Sequence, residues 1–229
     1  MKVLEKSSWM LLLGIFAVGC EVLREEPPII TSTYYPLATG NFWEYQVDNT
    51  RYFGEEDFET TEFFYRDEIV DQYLNADNDL VYRVRRQYSE DRNRWDDEKS
   101  YTLTFSNSRI IRHDNNLQEI VLSYPVAADT EWNGNAYNSR PSTYFFIERM
   151  GDYLVENNYF PETVTVRQSE EDDQITLRDI RYEVYGKEVG LIESYYEVFK
   201  YCSRNECLGE QIIQEGRFTH LKLISYGKD

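Results

Sequence analysis

Cysteine, histidine, glycine and proline are all scarce in this 229-residue chain, which has 3 Cys, 2 His, 11 Gly and 6 Pro. So little Gly and Pro, beside abundant aromatics, excludes a low-complexity or disordered chain. There is no HExxH, no GxSxG and no phosphate-cradling glycine loop, so the motif-borne zinc, serine-hydrolase and nucleotide chemistries are missing. Basic residues are in the minority, with 24 Lys and Arg against 42 Asp and Glu and a formal net charge of −18. Phosphate backbones are held by Lys and Arg displacing counterions, so nucleic acid is excluded as a partner. Peripheral adhesion to anionic lipid is disfavoured for the same reason. No apolar run approaches the roughly 20 residues that a membrane-spanning helix needs.

What is present starts with a targeting segment. Lys2 and Lys6 precede a ten-residue apolar run from Trp9 to Val18, which predicts a signal peptide over residues 1–19. The next four-residue pattern, Ala17-Val18-Gly19-Cys20, resembles the lipobox of bacterial lipoproteins, although Ala17 stands where Leu is commoner. That resemblance implies that Cys20 is the lipidated N-terminus of the mature chain. The alternative is an ordinary signal peptide beside an incidental Cys. Cleavage leaves 22 basic against 41 acidic side chains, a balance of −19. Diacyl or triacyl anchoring at Cys20 is stable where one chain would be marginal, and it is the membrane contact expected here.

Residues 20–33 read as a tether. Pro27-Pro28 favours extended polyproline and the flanking charges keep it solvated. The 13 residues from Glu21 to Thr33 reach at most roughly 43 Å. Arg24-Glu25-Glu26 resembles the short signal that carries Bacteroidetes lipoproteins to the cell surface, which favours surface display over the periplasmic face of the outer membrane.

From Tyr34 to Asp229 the pattern is that of strands. Tyr101, Leu103 and Phe105 alternate with Thr102, Thr104 and Ser106, and Val164 and Val166 with Thr163, Thr165 and Arg167. Tyr82, Val84 and Tyr88 share one face, while Arg83, Arg85 and Gln87 take the other. Turn clusters separate the runs: "NADND" at 75–79, "HDNN" at 113–116 and "EEDD" at 170–173. A slip of register between Leu177 and Ile180 predicts a β-bulge there. One or two short helices have room near 150–160. Long strands with aromatics on both faces, as in "LIESYYEVFKY", predict an all-β, single, mainly antiparallel domain over residues 34–229, built as a large curled sheet or open barrel.

Candidate sites are few. Cys202 and Cys207 flank a four-residue loop in a secreted chain, which predicts a disulfide closing a hairpin. Two Cys without a nearby His cannot build a structural zinc site. His113 is expected in a turn and His220 on a strand, each as a bland surface or satisfied residue. Asn75-x-Asp77-x-Asp79 starts like a calcium loop but lacks the Gly at the sixth position and has Arg86 where a bidentate Glu belongs, so a hairpin turn is the better reading. Carboxylates cluster in turns and on polar strand faces, where solvation is the default over glycosidase chemistry. Tyr and Trp could stack sugars or simply fill a β core, and their spacing does not separate the two.

Four stretches, "YYPLATGNFWEY" at 34–45, "DTEWNGNAYN" at 129–138, "RDIRYEVYGKEVGLIE" at 178–193 and "YCSRNECLGEQIIQEG" at 201–216, resemble a group of uncharacterised Bacteroidetes outer-membrane lipoproteins. Those share YxPLxxGNxWxY, WxGNxYN and C-x4-C-x-G motifs. The resemblance implies lipidation, the outer membrane and one β-rich domain, and it brings no catalytic residue. Each motif also has a structural use. Pro36, Gly40 and Asn41 form a turn that sends Trp43 and Tyr45 inward, "GKEVG" is a tight connection, and "WNGN" puts Trp132 in the core with Gly134 at a positive φ. The expectation is a non-catalytic envelope lipoprotein that acts as an interaction module with a protein partner, without metal or cofactor. A carrier holding an apolar ligand inside the sheet and a glycan-binding surface lipoprotein are the alternatives. A filled interior favours the module; an open, Tyr- and Phe-lined cavity favours the carrier.

Overall fold

Period-two patterning becomes strand after strand in the computed structural model of the chain, which describes residues 34–229. The signal peptide, Cys20 and the tether lie outside the described residues. The first six strands are β1 (Asn41–Tyr52), β2 (Phe58–Leu74), β3 (Leu80–Ser89), β4 (Asp96–Ser106), β5 (Arg109–Asp114) and β6 (Leu117–Ser123). The second six are β7 (Glu131–Asn133), β8 (Tyr144–Val155), β9 (Asn158–Asp172), β10 (Leu177–Gly186), β11 (Gly190–Tyr201) and β12 (Ile213–Lys228). No helix occurs among the described residues. The room for one at 150–160 is taken by the β8–β9 hairpin, because Val155 and Phe160 both turn into the core.

All strand pairs are antiparallel and follow chain order, with β1 also pairing β12, so the sheet curls into an up-and-down barrel. Its one seam lies between β6 and β7. There Ile120 N donates to Gly134 O (2.9 Å) and Trp132 Nε1 to Ile120 O (2.7 Å), which nearly closes the barrel. Gly134 is not at a positive φ as expected. Its lack of a side chain serves packing instead: a Cβ there would fall 2.5 Å from the Phe145 ring.

Two other expectations are corrected. His113 belongs to β5, not to a turn, because the turn narrows to Asn115-Asn116, both left-handed. The register slips are real but do not lie between Leu177 and Ile180, where pairing is continuous. The extra residues are Gln168 in β9 and Ile192 in β11, opposite the Arg181/Tyr182 and Val184/Tyr185 steps.

The barrel interior has two halves. At the end where the chain arrives, residues 34–40 fold across the opening. The Asn41 side-chain amide donates to Pro36 O, and Gly40 takes a positive φ that starts β1. Tyr35 and Leu37 are buried under this cover, with Tyr35 edge-on to Trp43 at 5.8 Å. Below them Tyr45, Val47, Ile69, Val84, Leu103 and Ile110 leave an interior packed by side chains. Toward the other end the inward residues become polar. The outer wall carries ion pairs such as Arg66–Glu44, Arg167–Glu148 and Lys222–Asp48. A lipid-embedded barrel would present an apolar band there, so this wall faces water.

Cys202 and Cys207 are joined with Cα atoms 5.8 Å apart. The bond staples a turn inside the 202–212 connection and does not tie β11 to β12. The chain-entropy model gives about 2 kcal/mol for so short a loop. The Cys202→Ser/Cys207→Ser protein should therefore fold, with amide exchange accelerated across 202–212 and unchanged in β1 and β12. Faster exchange throughout the barrel would contradict this local role.

Candidate functional site

The polar half of the interior forms a vestibule of about 300 Å³ that opens at the end opposite residues 34–40. Period two puts its walls together. β3 turns Arg86 inward between Val84 and Tyr88, β5 turns Arg112 inward between Ile110 and Asp114, and β10 turns Glu183 inward beside Tyr185. The loops 115–116 and 134–143 and the mouth residue Tyr196 of β11 form the rim.

These charges neutralise one another. Arg86 grips Asp67 with two hydrogen bonds, Nε to Oδ1 at 2.7 Å and Nη2 to Oδ2 at 2.6 Å. Tyr101 OH donates to the same carboxylate at 3.0 Å. Arg112 spans the interior, with Nη1 2.8 Å from Glu183 and Nη2 2.9 Å from Glu119. The second oxygen of Glu183 accepts from Tyr185 OH. Arg181 pairs with Asp179, and Lys99 with Asp114. Burial works against the charge of Arg86 and Arg112, but the carboxylates beside them outweigh it and raise both pKa values. Burial pushes the Tyr101 and Tyr185 hydroxyls well up as well, with Asp67 and Glu183 adding to the effect, so both phenols are neutral donors.

Two buried side-chain atoms on the wall make no hydrogen bond. Gln168 is only 8% exposed and its Nε2 makes no hydrogen bond; Asp114 Oδ1 accepts none. Gln168 is the extra residue of the β9 bulge, and a bulge re-aims its side chain. Nothing in the local sequence "VRQSEE" marks it. Arg86, Arg112 and Glu183 were also missed, because charged residues on a strand are assigned to water by default.

The sequence-derived candidates lie elsewhere. The Cys202–Cys207 turn is outside the vestibule wall, and the two histidines are on the outer wall and do not meet. His113 is exposed. His220 Nε2 lies 2.7 Å from Glu193, which also accepts from Tyr182 OH at 3.0 Å. Tyr182 stacks on Tyr195 at 5.1 Å and Tyr195 meets Phe218 edge-on, so this is a cross-strand aromatic ladder over a buried carboxylate. Among the described residues no group of His, Cys, Asp and Glu is placed to hold a metal ion. Residues 75–79 form a hairpin turn in which Asn75 Oδ1 accepts from the Asp77 and Asp79 amides.

The ladder has a pH signature. Burial resists ionisation of Glu193, but hydrogen bonds from His220, Tyr153 and Tyr182 outweigh it and lower its pKa. Tyr153 is pushed up to about 12 by burial and by the Glu193 charge. A carboxyl depressed in the folded state stabilises it fully above the unfolded value of ~4.3 and loses that contribution as pH falls through the folded one. Glu193→Gln should thus lose less stability than the native chain between about pH 5 and pH 3. Parallel acid limbs in urea titrations would contradict it.

No protein-family model matches the sequence, and neither does any curated protein. Among solved structures, the chain is similar to a candidate exported protein with a YmcC-like fold from Bacteroides fragilis. The TM-score is 0.46 at 8% identity, over 86% of this chain and 99% of that one. It is also similar to a candidate lipoprotein from Parabacteroides distasonis, with TM-score 0.39 and 10% identity over 85% and 98% of the two chains. At this distance neither likeness bears on what the chain does.

Proposed function

We infer that the chain is a non-catalytic binding module of the bacterial cell envelope, lipidated at Cys20 on the outer membrane and directed to the cell surface. It docks a protein partner through the loop-bearing end of the barrel. The observation that carries this reading is the state of the interior. Its apolar half is filled by side chains, which argues against a carrier of an apolar ligand. In its polar half the most buried carboxylates, Asp67 and Glu183, have both oxygens engaged, which argues against an acid or base poised for chemistry. Recognition is then left to surfaces. The longest connections, 134–143 and 202–212, are both at the end away from residues 34–40. Phe53, Phe58 and Leu208 are exposed at that end, but Leu74, Leu154 and Tyr159 are as exposed at the other, so it is the loops that mark the docking end. The anchor rests on the lipobox-like sequence and the surface face on the Arg24-Glu25-Glu26 triplet.

Photo-crosslinking in intact cells tests the reading, with the crosslinker at Phe53 or Leu208 and, as control, at Tyr159 on the opposite end. One protein captured from the first two positions and not from the third is the expected result, with capture weakened by salt where charge steers it. An apolar molecule retained at one-to-one stoichiometry in native mass spectrometry, with no crosslinked protein, would favour the carrier. Cys20→Ala should abolish outer-membrane partitioning, and persistence there would refute the anchor.

A further inference from the structure

We propose that the closed end of the barrel, where residues 34–40 enter, is a membrane-contacting surface that seats on net-neutral, zwitterionic lipid at the bilayer interface. This rests on the reading of Cys20 as a lipid anchor and adds to it which end of the domain meets the bilayer. Apolar side chains come together at this end. Leu154 and Tyr159 are directly opposed across the β8–β9 hairpin, next to its tip, and are each 63% exposed. Tyr159 lines one recess with Tyr226, an exposed residue near the end of β12, and with Pro161 and Val189. Leu74, at the β2–β3 tip of the same end, is exposed as well. Leu and Tyr suit the bilayer interface, where a Tyr ring meets the acyl boundary while its hydroxyl stays in water.

Apolar residues at the loop-bearing end are comparably exposed, so exposure alone does not choose between the ends. The tether does. Thirteen residues separate Cys20 from Tyr34, and fully extended they reach at most roughly 43 Å. β1 has 12 residues; at ~3.3 Å each and with a tilt of about 40°, the wall stands roughly 30 Å tall. Bringing the loop-bearing end to the bilayer would therefore draw the tether along the whole wall, to most of its limit. The closed end, which Tyr34 adjoins, reaches the bilayer without that stretch. Because the anchor already confines the domain, the contact is intramolecular, and a small apolar patch is enough to orient it. Charge selects the lipid. The recess holds Glu162 and Glu188 against Lys187, which is itself paired with Glu162, so an anionic headgroup is repelled. The same orientation turns the 134–143 and 202–212 connections away from the membrane, where a protein partner can reach them.

The test uses the full lipidated protein in phosphatidylcholine vesicles, with an environment-sensitive fluorophore attached at Leu74→Cys or Leu154→Cys. Phe53→Cys, on the loop-bearing end, carries the control label. Quenching by a nitroxide borne on the lipid near its headgroup should be at least about twofold stronger at 74 and 154 than at 53, since interfacial side chains sit ~5–10 Å into the headgroup boundary. It should weaken in vesicles rich in phosphatidylglycerol, and in Tyr159→Ser/Tyr226→Ser with the label at Leu154→Cys. Both tyrosines are exposed, so that variant should keep the native melting temperature. Equal quenching at the three positions, stronger quenching at 53, or no change in Tyr159→Ser/Tyr226→Ser would each overturn the proposal. So would stronger quenching with phosphatidylglycerol, or a second copy or another protein captured by the crosslinker at Tyr159. Mass spectrometry of the N-terminal peptide separates the anchor from the orientation. Acylated Cys20 with equal quenching refutes the orientation alone; unmodified Cys20 with release from the vesicles refutes the anchor, and the proposal with it.

Discussion

Arg86→Met should lower the stability of the barrel by about 3–5 kcal/mol, the usual cost of removing one partner of a buried ion pair. The reason is what remains behind. The Asp67 side chain is 2% exposed, and without the guanidinium it keeps only the Tyr101 hydroxyl. Arg86 also lies over the Tyr65 ring at 4.6 Å, a cation–π contact that Met cannot replace in kind. For a domain of this size the loss corresponds to a melting temperature roughly 6–20 °C lower. The double variant Asp67→Leu/Arg86→Met removes both charges and should recover much of the loss, because the pair itself is near break-even against apolar residues. Thermal melts of native, single and double variants decide the matter. A single variant melting within about 2 °C of the native protein, or a double variant worse than the single, would show that the pair is not the buried, mutually dependent unit described here.

The same residue shows where reading the sequence succeeds and where it stops. The strands were legible because Tyr82, Val84 and Tyr88 obey period two, and so were the barrel-like curl and the turn at 75–79; the turn expected at 170–173 falls instead at 173–176, because β9 keeps its pairing with β10 as far as Asp172. Arg86 was legible too in principle, since it occupies an inward position between Val84 and Tyr88. Tyr82, Val84 and Tyr88 were named on the inward face of that strand, and Arg86 was passed over. Its partner Asp67 is on the neighbouring strand and 19 residues away, and no local pattern announces such a pairing. Arg112 and Glu183 are further apart still, at 71 residues, and meet only because the sheet curls across its own interior. Closure itself was not legible: β1–β12 pairing joins the two ends of the domain, while the seam falls in mid-chain at β6 and β7. The bulge in β9 escaped notice for a related reason. The slip read in β10 between Leu177 and Ile180 does not mark it, since pairing is continuous there and the extra residue is in the partner strand, opposite the Arg181/Tyr182 step. Gln168, which the bulge adds to the vestibule wall, had no signal of its own in the sequence.

Trp43→Ala should be as damaging as the loss of Arg86, and at the opposite end of the barrel. Trp43 is 2% exposed, and its Nε1 donates to Val189 O at 2.6 Å, binding β1 to the 187–189 turn between β10 and β11. Truncation removes the ring from its contacts with Tyr35 and the segment that covers the closed end. It also orphans a buried carbonyl. Large-to-small changes of this kind cost about 3–5 kcal/mol, and the unpaired carbonyl adds about 1–3. Gly190 shows how tightly the ring is held. It has a φ of +104°, and a Cβ there would come 2.9 Å from Trp43 Nε1, so Gly190→Ala strains the backbone and displaces the indole together. Trp43→Phe keeps most of the volume and loses the hydrogen bond, so it should fall between the native protein and Trp43→Ala. Urea unfolding of the native protein, Trp43→Phe and Trp43→Ala should rank them in that order, with Gly190→Ala destabilised as well. Because the vestibule is built from the other half of the interior, any Trp43→Phe protein that remains folded should keep native amide-exchange rates around Arg112 and Glu183. Faster exchange there in that variant would mean that the packed end and the open end are coupled, and that the interior does not divide into two independent halves.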